Sequence, residues 1–285
     1  MPVNRCISDI IWYFPYALQA AVTADVTIPT CFPNLVELGI VGCSRVMHLE
    51  ALPTLSNLRS LDFERSSCWK ADMSVLTSCT KLEQLNLGQS GLMDLSPLSA
   101  CINLVNVNLR VSQTEDISAL SACTKLEWVN LSSNMKLQDI SPLSTLTNLR
   151  YLNLGYCLQI ASLAPLSMCT SLLELDNSGN ELVQDISPLS TLTNLRCLNI
   201  CYNMNLASLS PLSMCTSLQL CDLTGNRKLG LQIQVLEPCR NLHTLVVDRC
   251  EMPDTIDPFV LLPIRRRTIL SHTIAQKSTY TRAPY

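Results

Sequence analysis

Hydrophobic residues in this chain recur in one phrase, with leucine at the first position, aliphatic residues at the fourth and sixth, and asparagine, cysteine or serine at the ninth. The phrase begins at Leu35, Leu58, Leu82, Leu104, Leu126, Leu149, Leu172, Leu195, Leu218 and Leu242, giving ten coils, numbered here 1 to 10, at intervals of 22 to 24 residues. A fixed period in the twenties marks a solenoid, in which each repeat buries its apolar face only by stacking on its neighbours. Alternation within the phrase predicts a short strand with the first, fourth and sixth residues pointing inward, as Leu126, Val129 and Leu131 do, and the third, fifth and seventh facing out. Ten parallel strands about 4.8 Å apart make a sheet on the order of 48 Å long.

The second half of each coil carries a different signal. Asp139-Ile140-Ser141-Pro142-Leu143 is echoed at Leu95 to Leu98, Ile186 to Leu189 and Leu209 to Leu212. Serine is a good N-cap and proline is tolerated at the first helical position, so each coil is expected to turn through a short helical or 3-10 segment on the outer face. Strands inside and short helices outside give an α/β stack, curved, with a concave parallel sheet. The leucine spacing is the signature of a leucine-rich repeat solenoid. At the ninth position a small polar group can satisfy the backbone of the turn that leaves the strand. A second repetition is nested in the first: Asp139 to Gln184 and Asp185 to Gly230 match at 29 of 46 positions, so two coils have been copied as a unit. The copies differ mainly at outward positions, Tyr151 against Cys197, Gly155 against Cys201 and Glu174 against Leu220. Asn177 is the exception, an amide at an inward position where its copy has Leu223.

Composition narrows the function. Hydrophobic residues make up 47% of the 285 and charged ones 15%, as a stack with a continuous aliphatic core requires. The formal net charge is −3 and the one dense basic cluster is Arg265 to Arg267, so nothing offers the basic stripe that nucleic acid demands. No stretch of about 18 apolar residues is present to span a membrane. Residues 1–33 are expected to form an N-terminal cap, with Trp12, Phe14 and Tyr16 over the first coil; the alternative is that Ile10 to Ala24 is a secretory signal. Residues 34–250 form the repeat domain, and 251–285 a C-terminal cap through Phe259 to Leu262 followed by a loose tail from Arg265.

Of fifteen cysteines, Cys79, Cys101, Cys123, Cys169, Cys215 and Cys239 stand three residues before a leading leucine, where other coils have Leu55, Leu146 and Leu192. Cysteine that exchanges with leucine behaves as a small buried hydrophobe. Free structural thiols point to a reducing, cytoplasmic setting, with secretion as the alternative. Metal is not expected, since no Cys-x-x-Cys pair is present, although Cys197 and Cys201 both face outward on one strand with Cys221 a coil away. His48, His243 and His272 lie far apart, and no catalytic residue or cofactor is assigned.

Binding residues are sought on the sheet face. Its middle column, the fifth positions, runs Gly39, Asp62, Asn86, Asn108, Asn130, Asn153, Asp176, Asn199, Asp222, Val246, which reads either as a ligand strip or as side chains bonded to stacked neighbours. Trp128 and Tyr151 occupy third positions of adjacent coils, Arg110 a seventh position, and Tyr156 and Tyr202 the eighth, so four of fourteen aromatic residues gather here. Trp, Tyr and Arg are the types enriched at binding hot spots. Glu37, Glu64, Glu174 and Asp248 on the same face would admit a partner with basic groups.

The runs Asp139 to Leu152 and Asp185 to Leu198, reading Asp-Ile-Ser-Pro-Leu-Ser-Thr-Leu-Thr-Asn-Leu-Arg-x-Leu, resemble the short repeats of bacterial internalins and of the nuclear regulatory subunit of protein phosphatase 1. The Cys-Thr-x-Leu runs at Cys79, Cys123, Cys169 and Cys215 are similar to the cysteine-containing repeats of F-box proteins and of trypanosomatid leucine-rich repeat proteins, although no F-box is recognisable in the first 33 residues. The resemblance covers about Leu35 to Cys250 and implies protein recognition on the concave face by a regulatory or scaffold subunit, monomeric alone. Trp128, Tyr151, Glu174 and Asp176 match the phosphatase regulators by residue type. The internalin side of the resemblance implies instead a secreted adhesin.

Overall fold

The computed structural model describes residues 26–27, 34–43, 46–68, 71–247 and 268–270. Each of the ten coils contributes one three-residue strand, from Glu37–Gly39 in coil 1 to Thr244–Val246 in coil 10, and each strand spans the third to fifth positions of the phrase. All are parallel and pair residue for residue: Trp128 lies beside Tyr151, Val129 beside Leu152 and Asn130 beside Asn153. Identical period fixes identical register, so every position of the phrase becomes a column across the sheet. An eleventh strand, Thr268–Leu270, continues the register beside Thr244–Val246, inside the segment the sequence assigns to the C-terminal tail. Val26–Thr27 pairs separately with Val46–His48. The caps expected from Trp12, Phe14, Tyr16 and Phe259 to Leu262 lie outside the described residues.

The core is the inward rows of the phrase. Leu126, Val129 and Leu131 are fully buried, as are Leu149, Leu152 and Leu154 in the next coil. The outer segments are 3-10 turns, typically of five residues, such as Ser141–Thr145 and Ser187–Thr191, closed by the Leu143 N–H to the Ile140 carbonyl at 3.0 Å and the Leu146 N–H to the Leu143 carbonyl at 3.0 Å. A coil of 22 to 24 residues leaves too little chain for an α-helix, and the tighter 3-10 geometry is used in such short pieces. The cap differs from the expectation of serine. The side chains of Asp94, Asp116, Asp139 and Asp185 accept the N–H of the serine two residues on at 2.7–2.8 Å, and in their coils the hydroxyls of Ser162 and Ser208 accept from the N–H of Ala164 at 3.2 Å and of Ser210 at 3.0 Å. The serine begins the turn, and the aspartate two residues before it satisfies its orphan donor.

Two side-chain ladders tie coil to coil. The ninth-position residues Ser66, Ser112, Asn134, Cys157, Asn180, Asn203 and Asn226 each donate to the sixth-position carbonyl of the preceding coil at 2.6–3.1 Å. The framework role expected of this position therefore reaches across the coil boundary. On the other side of the core, the thiols of Cys101, Cys123, Cys169, Cys215 and Cys239 donate to the carbonyls of Leu76, Leu98, Leu143, Leu189 and Leu212 at 3.3–3.4 Å. Each is buried, and Cys101, Cys123, Cys169 and Cys215 form no disulfide, nor do the buried Cys79 and Cys221. Cysteine at the leucine site is thus a hydrophobe that also uses its weak S–H donor.

Candidate functional site

The sheet face is built from the third, fifth and seventh positions, with the eighth along its edge. In the middle column, Oδ1 of Asp62, Asn86, Asn108, Asn130, Asn153, Asp176, Asn199 and Asp222 accepts the backbone N–H two residues further along its own strand, at 2.8–3.1 Å. The column is structural: each residue bonds its own backbone, and Asp62 is also hydrogen-bonded by its stacked neighbour Asn86. Such local turns are what short amides and carboxylates do best, and here each ends a strand. Asp62 is the most enclosed of the acids: burial pushes its pKa up to about 6, against the opposing effect of the Glu64 N–H.

In the third-position column, Trp128 and Tyr151 stack with ring centroids 4.9 Å apart and planes 5° from parallel. That spacing is the strand spacing, so the stack is imposed by the register. Tyr151 retains 8% exposure and Glu174 beside it 7%. The expectation that both face freely outward is therefore corrected: on a sheet face with large neighbours on either side, an outward direction is not an accessible one. Burial raises the Tyr151 pKa, and its hydroxyl accepts from Asn153 Nδ2 at 3.4 Å. Trp128 keeps partial exposure and Arg110 is exposed. Arg110 sits four strand positions from the Trp128 column, roughly 13 Å away along the strand direction, so these residues mark opposite edges of the face and not one tight cluster.

The eighth position turns the chain out of the sheet in the left-handed region: Gly42, Arg65, Gln89, Val111, Ser133, Tyr156, Gly179, Tyr202 and Gly225 all have φ between 55° and 78°. In coils 6 to 9 this column reads Tyr156, Gly179, Tyr202, Gly225. A Cβ on Gly179 would lie 2.7 Å from the Tyr156 ring, and one on Gly225 2.5 Å from the Tyr202 ring, so each tyrosine is seated on the glycine of the following coil. Tyr156 is still 50% exposed, and its hydroxyl is raised in pKa first by burial and then by Cys201, Asp176 and Tyr202. The alternation was in the sequence, at the 46-residue period of the double coil, but only contact distances give it meaning. Also unread in the sequence is the apolar rim beyond the tyrosines, where Met135, Leu158, Leu182 and Met204 are exposed by 37% to 60%.

Asn177 is fully buried; its Oδ1 accepts from Asn180 Nδ2 at 2.7 Å, while its own Nδ2 finds no acceptor. Cys221 is buried, so it does not join Cys197 and Cys201 on the face, and no group of three metal-ligating side chains occurs among the described residues. The Cys201 thiol is pushed up to about 12 by burial and by Asp222 and Asp176. Asp248 and Cys250 lie outside the described residues.

A family model described as Leucine Rich repeats (2 copies) matches residues 124–168. No curated protein matches the sequence. Among solved structures, the chain is similar to internalin C2 of Listeria monocytogenes, 28% identical over 66% of this chain and 80% of that one, with a TM-score of 0.61. The functional domain of Listeria InlJ, which includes a cysteine ladder, is 18% identical over 84% of this chain and 54% of that one, at a TM-score of 0.63. A leucine-rich repeat protein of Leptospira interrogans is 18% identical over 86% and 75%, at 0.52. The last two share the fold alone. Among the described residues no helix is long and apolar enough to cross a membrane. Phrase, register and structural likeness agree on a leucine-rich repeat solenoid fold with cysteine in its repeats, and the family model matches two of those repeats.

Proposed function

We propose that the chain is a non-enzymatic recognition module, a regulatory or scaffold subunit that docks one protein partner on its concave face through Arg110, Trp128, Tyr156 and Tyr202. Leucine-rich repeat folds point to protein binding in general. The observation that carries the specific reading is the division of labour on the sheet face. The middle column commits one side-chain oxygen of each residue to a backbone turn, whereas Arg110 and Trp128 on the flanking columns and Tyr156 and Tyr202 along the edge stay at least partly exposed. Tyr151 stacks against Trp128 from the next strand, and Asp176 supplies charge beside the tyrosine edge. A thiol held near 12 at Cys201 is no nucleophile at neutral pH, which speaks against the enzymatic reading.

The test is a photoreactive amino acid at Asn106, beside Trp128 on the face, compared with one at Met168 on the outer 3-10 segment. Adducts with a partner protein from Asn106 alone are expected. Adducts from Met168 alone would move the binding surface to the convex side.

Location has two readings. The free buried thiols suit the cytoplasm, whereas similarity to internalin C2 favours the secreted alternative and lends the cytoplasmic one nothing. Fractionation of native cells into medium, surface and cytosol decides between them.

A further inference from the structure

The exposed apolar rim calls for an occupant, and its surroundings say of what kind. Tyr156, Leu158, Leu182 and Met204 lie on consecutive coils at the edge where the strands leave the sheet, and each is at least 37% exposed. Exposed apolar side chains that recur from coil to coil along one edge, demanded by no core, offer a docking strip, and methionine adapts well to a partner's shape. Directly inside this edge are Asp176 and Asp222, the former close enough to the Tyr156 hydroxyl to influence it. Charge on the whole face is lopsided. Among its described third, fifth and seventh positions stand Glu37, Asp62, Glu64, Glu174, Asp176 and Asp222 against Arg110 alone, a net of −5, whereas the entire chain carries only −3. The rest of the molecule is therefore net positive, and three of the six acids, Glu174, Asp176 and Asp222, lie in coils 7 and 9 with no cation on the described face positions of coils 6 to 9.

Spacing refines the match. Asp176 and Asp222 are two strands apart, roughly 10 Å. Two turns of an α-helix rise roughly 11 Å, so cations seven residues apart on a helix running along the solenoid would meet both carboxylates. Resting on the concave-face reading, we propose that coils 6 to 9 receive a basic amphipathic helix of the partner protein, its cations over Asp176 and Asp222 and its apolar stripe against Tyr156, Leu158, Leu182 and Met204. Recognition by anchors at such spacings is how amphipathic helices occupy grooves.

The full chain can be tested by fluorescence anisotropy with a labelled amphipathic peptide of leucine and lysine, a leucine and glutamate counterpart, and a proline-interrupted peptide of the same leucine and lysine content. The lysine helix is expected to bind at least about tenfold tighter than either control. Asp176→Asn with Asp222→Asn should weaken it by about tenfold. This change suits the fold, because asparagine fills the same position in coils 3 to 6 and 8 with the same Oδ1 turn. Leu182→Ser with Met204→Ser should weaken it comparably, while Glu115→Gln with Glu237→Gln, which removes equal charge elsewhere, should not. Equal binding of any control peptide, or indifference to the Asp176 and Asp222 changes, overturns the proposal. If that happens while the Asn106 cross-link persists, the concave-face reading stands and only the partner's chemistry is wrong.

Discussion

At the scale of single residues, the copied coils supply their own controls. Asn177 is buried with its Nδ2 unbonded, while Leu223 fills the equivalent site 46 residues later. If Asn177 becomes leucine, Asn180 loses one acceptor but can turn to the residue 177 carbonyl, as Asn134 does to Leu131 and Asn226 to Leu223. Asn177→Leu should therefore stabilise by about 1 kcal/mol, read as a higher urea midpoint; a lower midpoint would mean that the Asn180 bond matters more than the orphan donor. Asp62 offers a second control, because the next four coils carry asparagine in its place. Its folded pKa near 6 lies above the unfolded value near 3.8, so the native state binds the extra proton. Stability is then complete below about pH 4 and falls as pH rises through 6. Asp62→Asn should gain about 2 kcal/mol at pH 7 and close to nothing at about pH 3, below the unfolded value, measured by denaturation at the two pH values. Tyr151 carries the opposite lesson. It is nearly buried under Trp128, so its truncation belongs with core losses and cannot serve as a clean binding mutant.

At the scale of the element, the unit is the coil boundary. Strands of three residues have little stability of their own, and the stacked aliphatic rows and strand pairing that hold one coil to the next are supplemented by the ladder of ninth-position side chains, the thiol ladder and the seating of rings on glycines. The last of these is testable as a pairwise coupling. Gly179→Ala places a methyl 2.7 Å from the Tyr156 ring, in a left-handed backbone, and should cost about 2 kcal/mol. In Tyr156→Ala the space is vacated, so the same glycine change should cost about 1 kcal/mol less in a double-mutant cycle of chemical denaturation. Additive effects would mean that the tyrosine does not rest on coil 7.

For the whole molecule, the thiols link architecture to environment. Cys101 is buried, its pKa pushed up to about 12 by burial, and it donates to the Leu76 carbonyl of the preceding coil. A protonated, enclosed thiol neither pairs nor reacts. The melting temperature should thus be unchanged by reductant, while Cys101→Ala should cost about 1 kcal/mol. A melt that drops under reductant would reveal a disulfide that the fold does not require. Because each coil touches only its neighbours, a local loss in one coil should weaken the whole stack by roughly its own amount.

The sequence by itself determined the solenoid, the register and the inward rows, because a fixed period gives every coil the same geometry and leaves no freedom to slip. It also located the cysteine sites, since exchange with leucine reveals burial without coordinates. Tertiary structure alone decided accessibility on the sheet face. Tyr151 and Glu174 point outward by period but are covered by neighbours one strand away, and a single coil's pattern contains no term for what stacks beside it. The same holds for the donors and acceptors. That Asp139 caps the 3-10 turn instead of Ser141, and that Asn134 bonds to coil 4, depend on distances across turns and coil boundaries. The tyrosine seats and the apolar rim belong to this second class: their residues are plain in the chain, and their meaning comes from the coil that follows.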